Sequence, residues 1–276
     1  MSLFDKVFVK YQKTKICNYF MVSFPKAGRT WVRFFLNYYY FYQYPFAVTE
    51  RVNLEYENKI PFIRYAHPGY SAKNSHELKQ SIKKFLTRSL YRYKIIFLIR
   101  DPRDIFVSYY YQLTKRKDLA RSRDDRINWD TITMSELVYH DIFGISRIIE
   151  FLNQWHEALQ RLNKEHFILQ YERLIQSPQE EFPLLLEFLG EKVPNQLALE
   201  KAIEESSFSK MKQAEKSSLF SMKQFGGKAG DDNSMKVREG KTGNFQQYFS
   251  EREIQYMNQK MEELDPPLRN RFKITT

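Results

Sequence analysis

Tyr19 to Phe24 is a short run of apolar and aromatic residues that stops at Pro25, with Gly28 close behind. Such a run, bounded by loop formers, predicts a buried strand entering a tight loop. From Arg29 to Tyr42 the apolar and aromatic positions fit a largely buried helix. The pattern recurs downstream. Ile95 to Ile99 is a continuous apolar run between Lys94 and Arg100, as expected of a central parallel strand. Asp101 then supplies an N-cap and Pro102 a first helical position, for a helix reaching about Lys115. A shorter strand is expected over Phe62 to Ala66, an amphipathic helix over Ser146 to Leu162, and a further strand over Phe167 to Tyr171. Ser177-Pro178 opens another helix that ends near Gly190, with Pro183 straining its first turns. The stretch from Lys210 to Gly243 lacks periodicity and holds Gly226, Gly227, Gly230, Gly240 and Gly243, so it reads as a long loop.

Strands alternating with helices predict an α/β fold: a single domain with a central, mainly parallel sheet flanked by helices and a P-loop-like topology. Ligands in such sheets bind at the carboxyl ends of the strands. The segments after Phe24, Ala66 and Ile99 are therefore where chemistry is expected.

Composition narrows the picture. A chain of 276 residues with 42% hydrophobic residues is globular and long enough for one sizeable core, so residues 1–276 are read as one domain. The net charge of +11 favours an anionic partner, which leaves nucleic acid, a membrane surface and a nucleotide all open. Cys17 is the only cysteine, so no intramolecular disulfide forms and a reducing compartment is permitted. Met1 to Lys10 has no continuous apolar core of a signal peptide. No run approaches the ~20 apolar residues of a transmembrane segment. A cytoplasmic location is the expectation.

Ser23-Phe24-Pro25-Lys26-Ala27-Gly28-Arg29-Thr30-Trp31 lies between a predicted strand and a predicted helix. A helix start offers outward N–H groups and the positive end of a dipole. Gly28 lets the backbone approach an anion, Lys26 adds a full charge and Thr30 a hydroxyl donor. The same residues would also suit an ordinary helix start with an incidental lysine. It is not a Walker A sequence, because the lysine precedes the glycine. It resembles the 5′-phosphosulfate loop of the cytosolic-type sulfotransferases that use 3′-phosphoadenosine-5′-phosphosulfate (PAPS), commonly written T-Y-P-K-S-G-T-T-W. Pro25, Lys26, Gly28, Thr30 and Trp31 match, whereas Ala27 stands for Ser and Arg29 for the first Thr.

Arg100-Asp101-Pro102-Arg103-Asp104 followed by Ser108-Tyr109-Tyr110 is similar to the same family's R-x-P-x-D-x-x-x-S-Y-Y. There the Arg and the Ser bind the cofactor's 3′-phosphate, which implies that role for Arg100 and Ser108. Read without the resemblance, the segment could be a salt-bridged helix start. Three weaker matches follow. Tyr171-Glu172-Arg173-Leu174 resembles Y-E-D-L, whose Tyr lies near the adenine. Phe208 to Lys212 resembles F-x-x-M-K, implying that Phe208 stacks on the adenine, with Met211 beside it. Arg238-Glu239-Gly240 resembles R-K-G, implying contacts of Arg238 and Gly240 to the 3′-phosphate, although Glu239 replaces a lysine. The resemblance covers roughly Lys15 to Ser250.

The resemblance implies transfer of a sulfuryl group from PAPS to an acceptor hydroxyl or amine, with 3′-phosphoadenosine 5′-phosphate (PAP) as product. Cytosolic members carry K-T-H-x-P, and His67 in Tyr65-Ala66-His67-Pro68 matches its histidine while Tyr65 replaces its lysine. Arg64 or Arg29 is expected to fill that place. His67 is therefore the candidate base and Lys26 the second catalytic candidate. His76 is held in reserve, then Glu55 or Glu57, while His140, His156 and His166 are read as structural or exposed. The basic cluster Lys115, Arg116, Lys117, Arg121, Arg123 and Arg126 reads as a solvated face, an acidic-acceptor rim or a lipid contact. No metal site is expected, since no His/Cys/Asp cluster has ligand spacing. The alternatives are a nucleotide-dependent phosphoryl transferase, or a non-catalytic basic protein binding nucleotide or nucleic acid. On the preferred reading the partners are the nucleotide and an unidentified acceptor, with no nucleic acid.

Overall fold

A computed structural model describes residues 19–44, 60–89, 93–115, 124, 127–163, 165–216, 240 and 242–272. In chain order these form β1 (Tyr19–Val22), α1 (Arg29–Gln43), β2 (Ile63–Ala66), α2 (Ser75–Ser89), β3 (Lys94–Ile99) and α3 (Pro102–Lys115). Then come α4 (Met134–Leu137), α5 (Ile145–Arg161), β4 (His166–Gln170), α6 (Tyr171–Gln176), α7 (Pro178–Phe188), α8 (Gln196–Glu205) and α9 (Phe208–Lys216). A 3₁₀ turn at Asn244–Gln247 precedes α10 (Glu251–Met261) and α11 (Pro266–Arg269).

The four strands form one parallel sheet in the order β2-β1-β3-β4. The register is visible at both ends of the β1–β2 pair, where the N–H of Tyr19 donates to Phe62 O and that of Ser23 to Ala66 O, each at 3.4 Å. From β1 the chain passes to β2 on one side, and β3 then lies on the other. That reversal makes the carboxyl ends of β1 and β3 a topological switch point, where such sheets bind ligands.

Contacts group the chain into two compact units. One unit gathers Gly28–Tyr65 and Leu169–Gly240 with the start of β1. Its centre is aromatic. Phe35 of α1 stacks on Phe182 of α7 with centroids 3.5 Å apart, and Trp31 meets the same ring edge-on. α1 also packs along α8, and the N–H of Asn195 donates to the Tyr39 hydroxyl oxygen at 3.1 Å. The other unit comprises Val22–Ala27, Ala66–Ile168 and Lys241–Thr276. Here Ile95 to Ile99 are fully buried, which is why this strand carries five consecutive apolar residues with no alternation. α5 turns Ile145, Ile148, Leu152, Trp155 and Leu159 inward at helical spacing, and Phe24 meets Phe151 edge-on at 5.3 Å.

Most predicted elements are present with ends moved by a residue or two. Asp101 caps α3 as expected, its Oδ1 accepting from the N–H of Arg103 at 2.8 Å. Three expectations are corrected. The first strand ends at Val22 and not Phe24, because the Ser23 carbonyl turns to a histidine ring. Tyr171 opens α6 and does not end β4. Residues 210–216, read as the start of a loop, belong to α9, held by Phe208 and Met211 against α1. Residues 217–239 lie outside the described residues.

Candidate active site

The segment after β1 has an unusual backbone. Lys26 sits at φ 72°, in the left-handed region that a branched or long side chain rarely occupies. Strain of this kind persists where the surroundings enforce it, often at functional sites. The Lys26 carbonyl oxygen accepts from Arg100 Nη1 at 3.4 Å. The loop after β1 and the residue after β3 are thus in direct contact at the switch point. Ser108 is half-buried two turns into α3.

Asp104 is on the first turn of α3, with Oδ2 3.9 Å from Nη2 of Arg100, which precedes the helix. The same oxygen accepts from the N–H of Gly243 at 2.8 Å, and Oδ1 from that of Phe245 at 3.2 Å. Burial raises the pKa of this carboxyl above its ordinary value, opposed by Arg100 and by the two backbone donors. Arg103 doubly engages Asp101, donates to Asn258 at 2.6 Å and lies 4.4 Å over the Phe245 ring.

His67 follows β2. Its Nδ1 is 2.6 Å from the Ser23 carbonyl oxygen. A carbonyl only accepts, so Nδ1 carries the hydrogen, and in the neutral ring Nε2 is the basic nitrogen. The turn beyond it is fastened by Trp155, whose indole N–H donates to Pro68 O at 3.1 Å. His67 is therefore held at the carboxyl end of β1 in a defined tautomer. The other histidines lie elsewhere. His76 is exposed on α2 beside Gln80, His140 accepts from the N–H of Ile142, His156 pairs with Asp265, and His166 starts β4.

In the other unit, Gly28 is the N-cap of α1 at φ 109°, and no side chain caps the helix. The positive end of the α1 dipole thus carries no side-chain acceptor, and it follows Lys26 and Ala27 in sequence. A Cβ on Gly28 would stand 2.7 Å from Cε2 of Tyr171, whose ring meets Trp31 edge-on at 5.7 Å. Gly28→Ala is accordingly expected to lower stability by about 1 to 3 kcal/mol in urea unfolding. A change below about 0.5 kcal/mol, the range of neutral surface substitutions, would show that the loop relaxes freely.

Phe208 and Met211 pack with Trp31, Phe34 and Tyr38. Gly240, at φ 64°, is fitted against the Phe208 ring, where an added Cβ would come within 2.6 Å of Cε2. Arg238, Glu239 and Lys241 lie outside the described residues, as do Glu55 and Glu57. Of the basic cluster, Lys115 is exposed at the end of α3 and the rest lies outside the described residues.

Around Tyr65 the structure brings in a residue that sequence reasoning missed. Arg33, one turn beyond Arg29 on α1, places its guanidinium 5.0 Å over the Tyr65 ring. Burial, then the neighbouring charge of Arg33, lowers the pKa of Arg29 to about 10, and burial raises that of Tyr65 to about 12. At neutral pH the Arg29 guanidinium is charged and the phenol is not. Arg64 is exposed, near the Phe62 ring. The i, i+4 spacing of Arg29 and Arg33 was the available signal. Among the described residues no group of His, Cys, Asp and Glu is arranged to hold a metal, and no helix is long and apolar enough to cross a membrane.

This fold has known counterparts. A family model described as the sulfotransferase domain matches residues 18–265, and the chain belongs to that family. Among curated relatives it is similar to Sulfotransferase 1A1 of Bos taurus, 24% identical over 207 residues, 69% of this chain and 64% of the relative. Sulfotransferase 1C2 of Homo sapiens is 24% identical over 208 residues, again 69% and 64%. The matched stretch thus spans a little under two thirds of these relatives. The fold is shared with mouse sulfotransferase SULT7A1 complexed with PAP, at TM-score 0.59 and 17% identity, covering 98% of this chain and 94% of that one. Retinol dehydratase in complex with androsterone and inactive cofactor PAP gives TM-score 0.60 and 15% identity, with 94% and 85% covered.

Proposed function

We propose that this protein transfers the sulfuryl group of PAPS to an acceptor hydroxyl or amine and releases PAP. The observation that carries the reading is the Arg100–Lys26 contact, in which the guanidinium after β3 donates to the backbone carbonyl of the loop after β1, so that the two motif loops meet at the switch point. Membership of the sulfotransferase domain family supports it.

Each role follows from the residue's chemistry and its match to the family pattern. Nε2 of His67 takes the acceptor proton as the acceptor oxygen bonds to sulfur. The bond from sulfur to the 5′-phosphate oxygen breaks in line. Lys26 and the uncapped N–H groups at the start of α1, with Ala27, Gly28, Arg29 and Thr30, offset the charge that grows on that phosphate. Arg100, Ser108 and Arg238 hold the 3′-phosphate, with Glu239 and Gly240 in the same segment, and so orient the donor. Trp31, Tyr171, Phe208 and Met211 offer apolar and aromatic surface to the adenine. Location in the cytoplasm is part of the proposal, supported by the single cysteine.

The test compares PAP with 5′-AMP by thermal shift. PAP at ~100 times its dissociation constant should stabilise wild type by about 2.7 kcal/mol. Arg100→Ala is expected to weaken PAP by roughly 1.5 to 3 kcal/mol and 5′-AMP far less, because only PAP carries the 3′-phosphate. Ser108→Ala should act in the same direction and less strongly. Equal losses for both ligands would refute the assignment.

A further inference from the structure

We propose that Asp104 is a positioning residue for the 3′-phosphate site, binding the Gly243–Phe245 backbone to the first turn of α3 and to Arg100 just before it. The inference rests on the reading that Arg100 holds that phosphate. Asp104 is only 3% exposed, and both of its oxygens are engaged. One accepts from Gly243 and faces Arg100, and the other accepts from Phe245. Three directions therefore fix the plane of the carboxylate, and through it the guanidinium and the loop. The grip is reinforced by Arg103, which reaches over the Phe245 ring from the same helix turn. The first turn of α3 thus holds the 243–245 segment by an acid and a cation together.

A buried carboxylate costs stability, and packing alone would be served better by an apolar side chain. The acid also opposes the job of its neighbour. A negative charge 3.9 Å from Arg100 lessens the attraction of that guanidinium for a phosphate. If electrostatics alone decided, removing the charge would tighten PAP. If positioning decides, removing it loosens PAP. The sign of one substitution separates the two.

Asp104→Asn keeps the size of the side chain and one acceptor oxygen, so only one of the two backbone donors stays paired. We expect PAP affinity to fall about tenfold or more, with 5′-AMP affinity nearly unchanged. Asp104→Glu, which restores the carboxylate, should recover part of the preference for PAP. Unchanged or tighter PAP binding in Asp104→Asn overturns the inference. So does an equal loss for both ligands with a lowered Tm, which marks a purely structural role. If wild type itself shows no preference for PAP over 5′-AMP, the underlying reading fails and takes this inference with it. Should Asp104→Asn not fold, amide exchange of wild type decides. The Gly243 and Phe245 amides should be protected more by PAP than by 5′-AMP at matched saturation, and equal protection overturns the proposal.

Discussion

His67→Ala is expected to lower turnover about 10²- to 10⁴-fold while leaving PAP binding almost intact. The expectation comes from the geometry of the ring. Its Nδ1–H is committed to the Ser23 carbonyl at 2.6 Å, which leaves Nε2 as the proton acceptor in the neutral ring. Because the imidazolium has no lone pair to offer, the wild-type rate should rise with pH as the ring loses its proton, and the mutant should lose that rise. The measurement is initial rate against pH with PAPS saturating and any hydroxyl acceptor that turns over. A mutant that keeps most of its rate, with the same pH profile, would make His67 a loop residue that merely closes the turn to Tyr70 and Pro68. The base would then be sought at Glu55 or Glu57, since His76 is exposed on α2.

Lys26→Gly should separate stability from activity. A lysine at φ 72° carries strain of order 1 to 3 kcal/mol, which glycine does not. Glycine also gives the unfolded chain more freedom, and that offsets part of the relief. Folding stability is thus expected to be unchanged or slightly higher. Turnover should fall about 10²- to 10³-fold, the usual effect of removing one preorganised donor to developing charge. Lys26→Ala should lose as much activity and also keep the backbone strain. Retained turnover in the glycine variant would mean that the left-handed residue is an ordinary turn and that the helix-start amides suffice. A large loss of stability would mean that the lysine side chain holds the loop together.

Much of this protein is legible in its local sequence, because the signals involved are short-range. The apolar run Ile95 to Ile99 is what a strand buried on both faces requires, and Asp101-Pro102 supplies the residues of a helix start. The loops at Lys26 and Arg100 stand out because glycine, proline and basic residues interrupt apolar runs. That order of elements already implies a parallel α/β sheet, and the two matched motifs already imply a nucleotide site. Two boundaries moved because packing overrode pattern. Tyr171 satisfies strand propensity but turns into α6 beside Gly28 and Trp31, and Phe208 and Met211 draw the start of the glycine-containing stretch into helix.

The tertiary structure alone decided which distant groups meet. No periodicity reveals that Asp104 accepts from backbone 139 and 141 residues away, or that His67 leans on a carbonyl 44 residues back. Arg33, one turn from Arg29, becomes part of the surroundings of Tyr65 only once α1 lies beside β2. The left-handed lysine is likewise invisible in sequence, since φ is imposed by the turn and not by the residue. Local sequence sets propensities of roughly 1 kcal/mol or less per residue. Hydrogen bonds to buried charge and the exclusion of water are cooperative and nonlocal, and they exist only when the strand order has brought their partners together.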